Sequence, residues 1–139
     1  MRVEHVLLTE GVGADIRNAM TLIGFNQRVI NAHAVPFSFR QTLVIGLIDD
    51  SEDDGVAPSG QLAINLVNPQ GVAVFALNQA IQLNQRSRKD VPGFTNIAMD
   101  VQFSGSVRGR YTLQLTWQDA VGEAEKHEIS VYVVDPAEG

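Results

Sequence analysis

The dominant period along the chain is two. From Phe37 the odd positions read Phe37, Phe39, Gln41, Leu43, Ile45 and Leu47, with Ser38, Arg40 and Thr42 between them. One face is therefore apolar and the other polar, the pattern of a half-buried strand. Leu62, Ile64 and Leu66 alternate in the same way with Gln61, Ala63 and Asn65, and Asn68-Pro-Gln-Gly71 then leads into Val72-Ala-Val-Phe-Ala-Leu77. A proline at the second position of a turn has its φ already set, and glycine closes the turn, so these two runs are predicted to form a hairpin. Ile97, Met99, Val101 and Phe103 make a further strand, which Ser104-Gly-Ser-Val-Arg-Gly109 connects to Tyr111, Leu113, Leu115 and Trp117. Asp119-Ala-Val-Gly-Glu123 connects that strand in turn to Ile129, Val131 and Val133. Three hairpin signals predict antiparallel pairing.

The first third is less regular. Val3, Val6, Leu7 and Leu8 predict one strand, Met20-Thr-Leu-Ile-Gly-Phe25 a second, and Gln27 to Ala34 a third that Pro36 ends. Gly11-Val-Gly13 and Asn18 read as interruptions, and Asp15 is placed to cap a short helix from Asp15 to Met20. Leu77, Ala80, Ile81 and Asn84 have helical spacing, but Leu77, Ile81 and Leu83 also continue the strand begun at Val72, and strand is the reading adopted. Seven to nine short strands without a βαβ rhythm predict an all-β fold, an antiparallel two-layer β-sandwich of immunoglobulin-like or C2-like type. A single domain is expected over residues 1–139, with 135–139 as a polar tail.

Composition narrows the function classes. Ten Lys and Arg against sixteen Asp and Glu leave a net charge of −6, a field that repels nucleic-acid backbones and anionic membrane surfaces, so neither is expected as a partner. The absence of cysteine excludes disulfides, thiolate metal sites and thiol catalysis, and fits a reducing cytoplasm. Glu4, His5 and Glu10 interrupt the apolar core a secretory signal would need, and no stretch is long and apolar enough to suggest a spanning helix.

Val3-Glu-His-Val-Leu-Leu8, Leu22-Ile-Gly24-Phe25, Val35-Pro36, Leu43-Val44 and Gly109-Arg-Tyr111-Thr-Leu113-Gln-Leu115 together resemble an uncharacterised bacterial family of small all-β proteins. The resemblance covers most of the chain and implies the same fold class. It carries over no functional residue. Where the family's pattern has an acidic residue and a Gly-Lys-type turn before the second strand, this sequence offers Glu10 and Asn18-Ala19, and the loop geometry there is not implied by the resemblance.

Candidate chemistry is sparse. Asp49, Asp50, Glu52, Asp53 and Asp54 place five carboxylates in six residues between two strands, hard oxygen ligands of the kind calcium takes. Read as an EF-hand loop beginning at Asp50, the run would put Gln61 where a bidentate Glu belongs, with strands where helices should flank it; a solvated acidic turn is the simpler reading. His5, His33 and His127 share no metal-binding spacing, and no nucleophile or phosphate-loop motif is present, so no catalytic residue and no cofactor are assigned. Arg86, Arg88, Lys89, Arg108 and Arg110 would form an anion-binding edge with Asn78, Gln79, Gln82, Asn84 and Gln85 only if those segments met in space. Phe103, Tyr111 and Trp117 fall on inward positions of adjacent candidate strands and read as core.

The expectation is a non-enzymatic interaction or structural module that binds a protein partner or itself, the latter as a homodimer through a sheet edge. Gln61–Leu66 and Val72–Leu83 carry no charged residue that would guard an edge. The alternative is a small-molecule or carbohydrate-binding sandwich, or a hydrolase with a loop-built pocket.

Overall fold

The computed structural model describes residues 1–14, 20–24, 27–49, 59–82, 90–119 and 124–137. Ten strands account for most of them: β1 (Arg2–Thr9), β2 (Gly11–Ala14), β3 (Met20–Ile23), β4 (Val29–Asn31), β5 (Phe37–Asp49), β6 (Ser59–Val67), β7 (Ala73–Gln82), β8 (Gly93–Gly105), β9 (Gly109–Asp119) and β10 (Ala124–Val134). Among the described residues there is no helix, and so none long and apolar enough to cross a membrane. A three-stranded sheet in the order β1-β5-β8 faces a five-stranded sheet in the order β4-β10-β9-β6-β7, and β2 with β3 forms a separate ribbon that touches β5.

Alternation produces this two-layer structure directly. Leu43, Ile45, Leu47, Val101 and Phe103 point inward from the smaller sheet, and Leu62, Ile64, Leu66, Leu113, Leu115 and Trp117 from the larger, into one shared core. Each side chain fully withdrawn from water in this way contributes roughly 1.5–3 kcal/mol. β5 departs from simple alternation because it is the central strand of its sheet and every residue from Gln41 to Asp49 is buried. The Asn68–Gly71 turn closes as its sequence predicts: the Gly71 amide donates to the Asn68 carbonyl (3.0 Å), the Gln70 and Val72 amides donate to Asn68 Oδ1 (2.9 Å each), and Gly71 takes a φ of 81°.

Four local expectations are corrected. Ser104–Gly109 is not a hairpin turn, because β8 and β9 lie in different sheets and the segment crosses between them. The reason is visible in the core, where Phe103 and Tyr111 stack across the two layers at 5.3 Å and the Tyr111 hydroxyl donates to the Val107 carbonyl (2.6 Å). Phe103 therefore does not lie on a strand adjacent to those of Tyr111 and Trp117, although all three are core residues. Gly11–Gly13, read as an interruption, belongs to β2, which pairs with Met20–Ile23, so Met20 begins a strand; residues 15–19 of the expected helix lie outside the described residues. β4 pairs with β10 in parallel, since a strand reached by a long connection is not held to the reversal that a tight turn imposes. The strand reading of the segment after Val72 is borne out, with β7 continuing to Gln82.

Candidate functional site

The structure does not gather the acidic run into a described site. Asp49 ends β5, buried and opposite Gly93, while Asp50, Glu52, Asp53 and Asp54 lie outside the described residues. Among the described residues no group of three or more metal-ligating side chains occurs. The histidines occupy three separate places. The His5 ring lies on the Gly46 backbone of the neighbouring strand, His33 follows β4, and His127 Nε2 sits 3.3 Å from Glu125 Oε2 on β10. Among the described residues the basic edge is not assembled either. Arg110 lies beyond the residues of β9 that pair with β6, at the Val67 end, whereas Gln82 lies opposite Ser59 at the other end of the sheet. Residues 83–89 are outside the described set.

Several charged groups are engaged in contacts that join the two layers. The Met1 ammonium donates to Asp119 Oδ2 (2.7 Å), Trp117 Nε1 donates to the Met1 carbonyl (3.3 Å), and the Val3 amide donates to Glu125 Oε2 (3.0 Å). These contacts join β1 of one sheet to β9 and β10 of the other. On the same flank, segment 27–32 stitches the layers together. The Gln27 amide donates to Leu8 and Gln41 Nε2 to the Gln27 carbonyl, while Tyr132 and Ala32 exchange backbone bonds with Arg28 and Val134. Arg108 ties the crossover to this flank by donating from Nε to the Ala32 carbonyl (3.0 Å).

On the opposite flank β7 and β8 are the edge strands of the two sheets; their backbones approach each other, and among the described residues no backbone hydrogen bond joins them. Phe75, Leu77 and Ile81 on β7, with Ile97 and Met99 on β8, pack against the core yet stay only partly buried. The four sheet edges are also guarded unequally. β4 has three residues, β1 is bulged between Val3 and His5 and carries Arg2 and Glu4, and β8 carries Asp100. Short length, bulges and charges are the usual defences against strand addition. β7 has ten residues and no charge, and its irregularity is confined to its first residues, between Ala73 and Phe75. β6, the other uncharged run, is central between β9 and β7, which accounts for its lack of guards.

The outward face beside this edge is uncharged as well. Gln118, Gln61 and Ala80 form one cross-strand row, Thr116, Ala63 and Asn78 the next, and Gln114, Asn65 and Ala76 a third. At one corner a shallow groove of about 590 Å³ runs past Ser59, Gln61, Gln82, Gln118 and Asp119. Its lining combines three amides and Ser59 with Gly60, Ala80 and Ile81, and among the described residues it holds one carboxylate, Asp119, and no histidine. Tyr111 has a pKa raised above 10.0 by burial, and as a core residue it serves packing rather than chemistry. No protein-family model and no curated protein matches the chain. Sequence reading found the uncharged runs but could not rank them. The missing signal was sheet order, which depends on non-local pairing.

Proposed function

We propose that this protein is a non-enzymatic β-sandwich module that works by contact, with the β7 edge and the adjoining β7–β8 flank as its contact surface. The observation that supports this reading best is a ten-residue, uncharged strand at a sheet edge whose inward apolar residues remain half open. Such an edge offers unpaired N–H and C=O groups to an extended segment, and alternating side chains of that segment would cover Phe75, Leu77 and Ile81. The cysteine-free composition is consistent with a reducing cytoplasm as the working compartment.

A lysine-flanked peptide carrying residues 73–82 tests the edge directly. Titrated into the dilute ¹⁵N-labelled protein, it should shift amide resonances along β7 and the facing part of β8. Shifts confined to β1 or β4, or none at millimolar peptide, would refute the assignment.

A further inference from the structure

We infer that the occupant of the β7 edge is a second copy of this chain, paired antiparallel across a two-fold axis; this rests on the contact reading above. In an antiparallel pair, directly opposed residues lie on the same face of the sheet, so an isologous β7–β7 pairing must be centred on a residue rather than between two. Centring on Asn78 sets Phe75 opposite Ile81 on the inner face, Ala76 opposite Ala80 on the outer face, and the Asn78 amide opposite its own copy. Like meets like at the Phe75–Ile81, Ala76–Ala80 and Asn78 positions, while Leu77 faces Gln79 on the inner face next to the axis. Centring on Leu77 would set Phe75 against Gln79 instead, and centring on Gln79 would carry Phe75 past the end of the strand.

Charge supports the same occupant. A two-fold axis presents each side chain twice, so one lysine or glutamate near the centre would oppose itself, and β7 has none in ten residues of a chain whose net charge is −6. The area is sufficient. Ten residues of strand run about 33 Å, and a two-layer flank is roughly 20 Å deep, which gives about 1,300 Å² buried in total, at the lower end of stable interfaces. The same axis brings β8 up to its counterpart and covers Ile97 and Met99, which the chain itself buries only in part.

Sedimentation of the 139-residue chain from about 1 to about 200 μM tests this. The expected result is a species of twice the 15.1 kDa chain mass. Ala76 and Ala80 are exposed, so the A76K/A80K variant keeps its fold by circular dichroism while the dimer weakens about a hundredfold, because the new charges meet their copies across the axis. Since the chain has no cysteine, Asn78→Cys supplies one thiol on the axis and should cross-link under mild oxidation, whereas Gln114→Cys, on the outer face of β9, should not. A monomer at every concentration overturns the self-pairing, as does a dimer indifferent to the lysines or cross-linked equally through Gln114→Cys. If the protein is monomeric but the 73–82 peptide still shifts β7, only the identity of the occupant falls; if the peptide also fails, the contact reading falls with it.

Discussion

Gly60→Ala places a methyl group where the structure has no room for one. A Cβ built on Gly60 lies 2.5 Å from Trp117 Cη2 and Cζ2 and 2.6 Å from the Gln118 carbonyl oxygen. Carbon contacts settle near 3.5–4.0 Å, so something must yield by about 1 Å. Neither obstacle yields easily. Trp117 is fully buried and its indole nitrogen is tied to the Met1 carbonyl, while the Gln118 carbonyl belongs to the β9 backbone that pairs with β6. Overpacking of this kind costs about 1–3 kcal/mol, and the upper end applies because one contact is with backbone. For a chain of this size that corresponds to a fall in Tm of about 10 °C. Chemical denaturation followed by fluorescence measures it, and because Trp117 is the only tryptophan, its emission should also shift as the ring is displaced. A double-mutant cycle isolates the cause. In a Trp117→Leu background the ring is gone and only the Gln118 contact remains, so Gly60→Ala should cost about 1 kcal/mol there, a coupling of at least 1 kcal/mol. A Gly60→Ala protein within about 0.5 kcal/mol of the parent, or strictly additive substitutions, would refute the packing argument.

Tyr111→Phe should destabilise the fold by about 1–3 kcal/mol, because the Val107 carbonyl loses its donor. The raised pKa of Tyr111 also has a defined sign: the folded chain holds the phenolic proton more tightly than the unfolded one, so this contribution is intact below pH 10.0 and declines above it. Urea midpoints measured up to alkaline pH should show that decline in the parent and lose the Tyr111 part of it in the phenylalanine variant. Asp100→Ala removes the partner of Arg40 in an exposed ion pair and should change stability by less than about 1 kcal/mol; a larger loss by denaturant titration would mean the pair is more than a surface contact. Calcium at micromolar concentration should leave the thermal midpoint unchanged, and a rise of several degrees would make the 49–54 run a metal site.

The sandwich was legible because local alternation and layer assignment are one signal: residues of period two that face a core must do so from a sheet. Leu62, Ile64 and Leu66 gave both the strand and its inward face. Ser104–Gly109 misled because a turn-rich connection between two alternating runs is the same sequence whether the chain folds back into its own sheet or crosses to the other. The Phe103–Tyr111 contact decides between the two, and it forms only when the layers meet. β4 was hard to delimit because three residues give no period to read, and its parallel pairing comes from backbone bonds at Arg28 and Ala32 that are independent of side-chain type. The uncharged runs in β6 and β7 looked equivalent for a related reason: a central strand and an unguarded edge both lack charge, and only strand order separates them.

That separation gives the two flanks different meanings. On the β1–β4 flank the chain closes its own core with segment 27–32, the Glu125 carboxylate on the Val3 amide and Arg108 on the Ala32 carbonyl, so Ile30, Val131 and Val133 are fully withdrawn from water. Between β7 and β8 the backbones approach each other without a backbone hydrogen bond among the described residues, and the apolar side chains there stay partly exposed. A domain that needed both flanks only for its own stability would gain by guarding β7 with a single lysine, which costs little on an exposed edge and prevents unwanted pairing. Ten residues without one, beside partly exposed apolar side chains, are what the proposed contact surface rests on. Installing that guard at Ala76 should therefore leave the thermal midpoint of the isolated chain almost unchanged, since the position is exposed, while removing association. A midpoint that rose with the lysine and was independent of protein concentration in both forms would instead identify the open flank as a cost of the fold with no partner behind it.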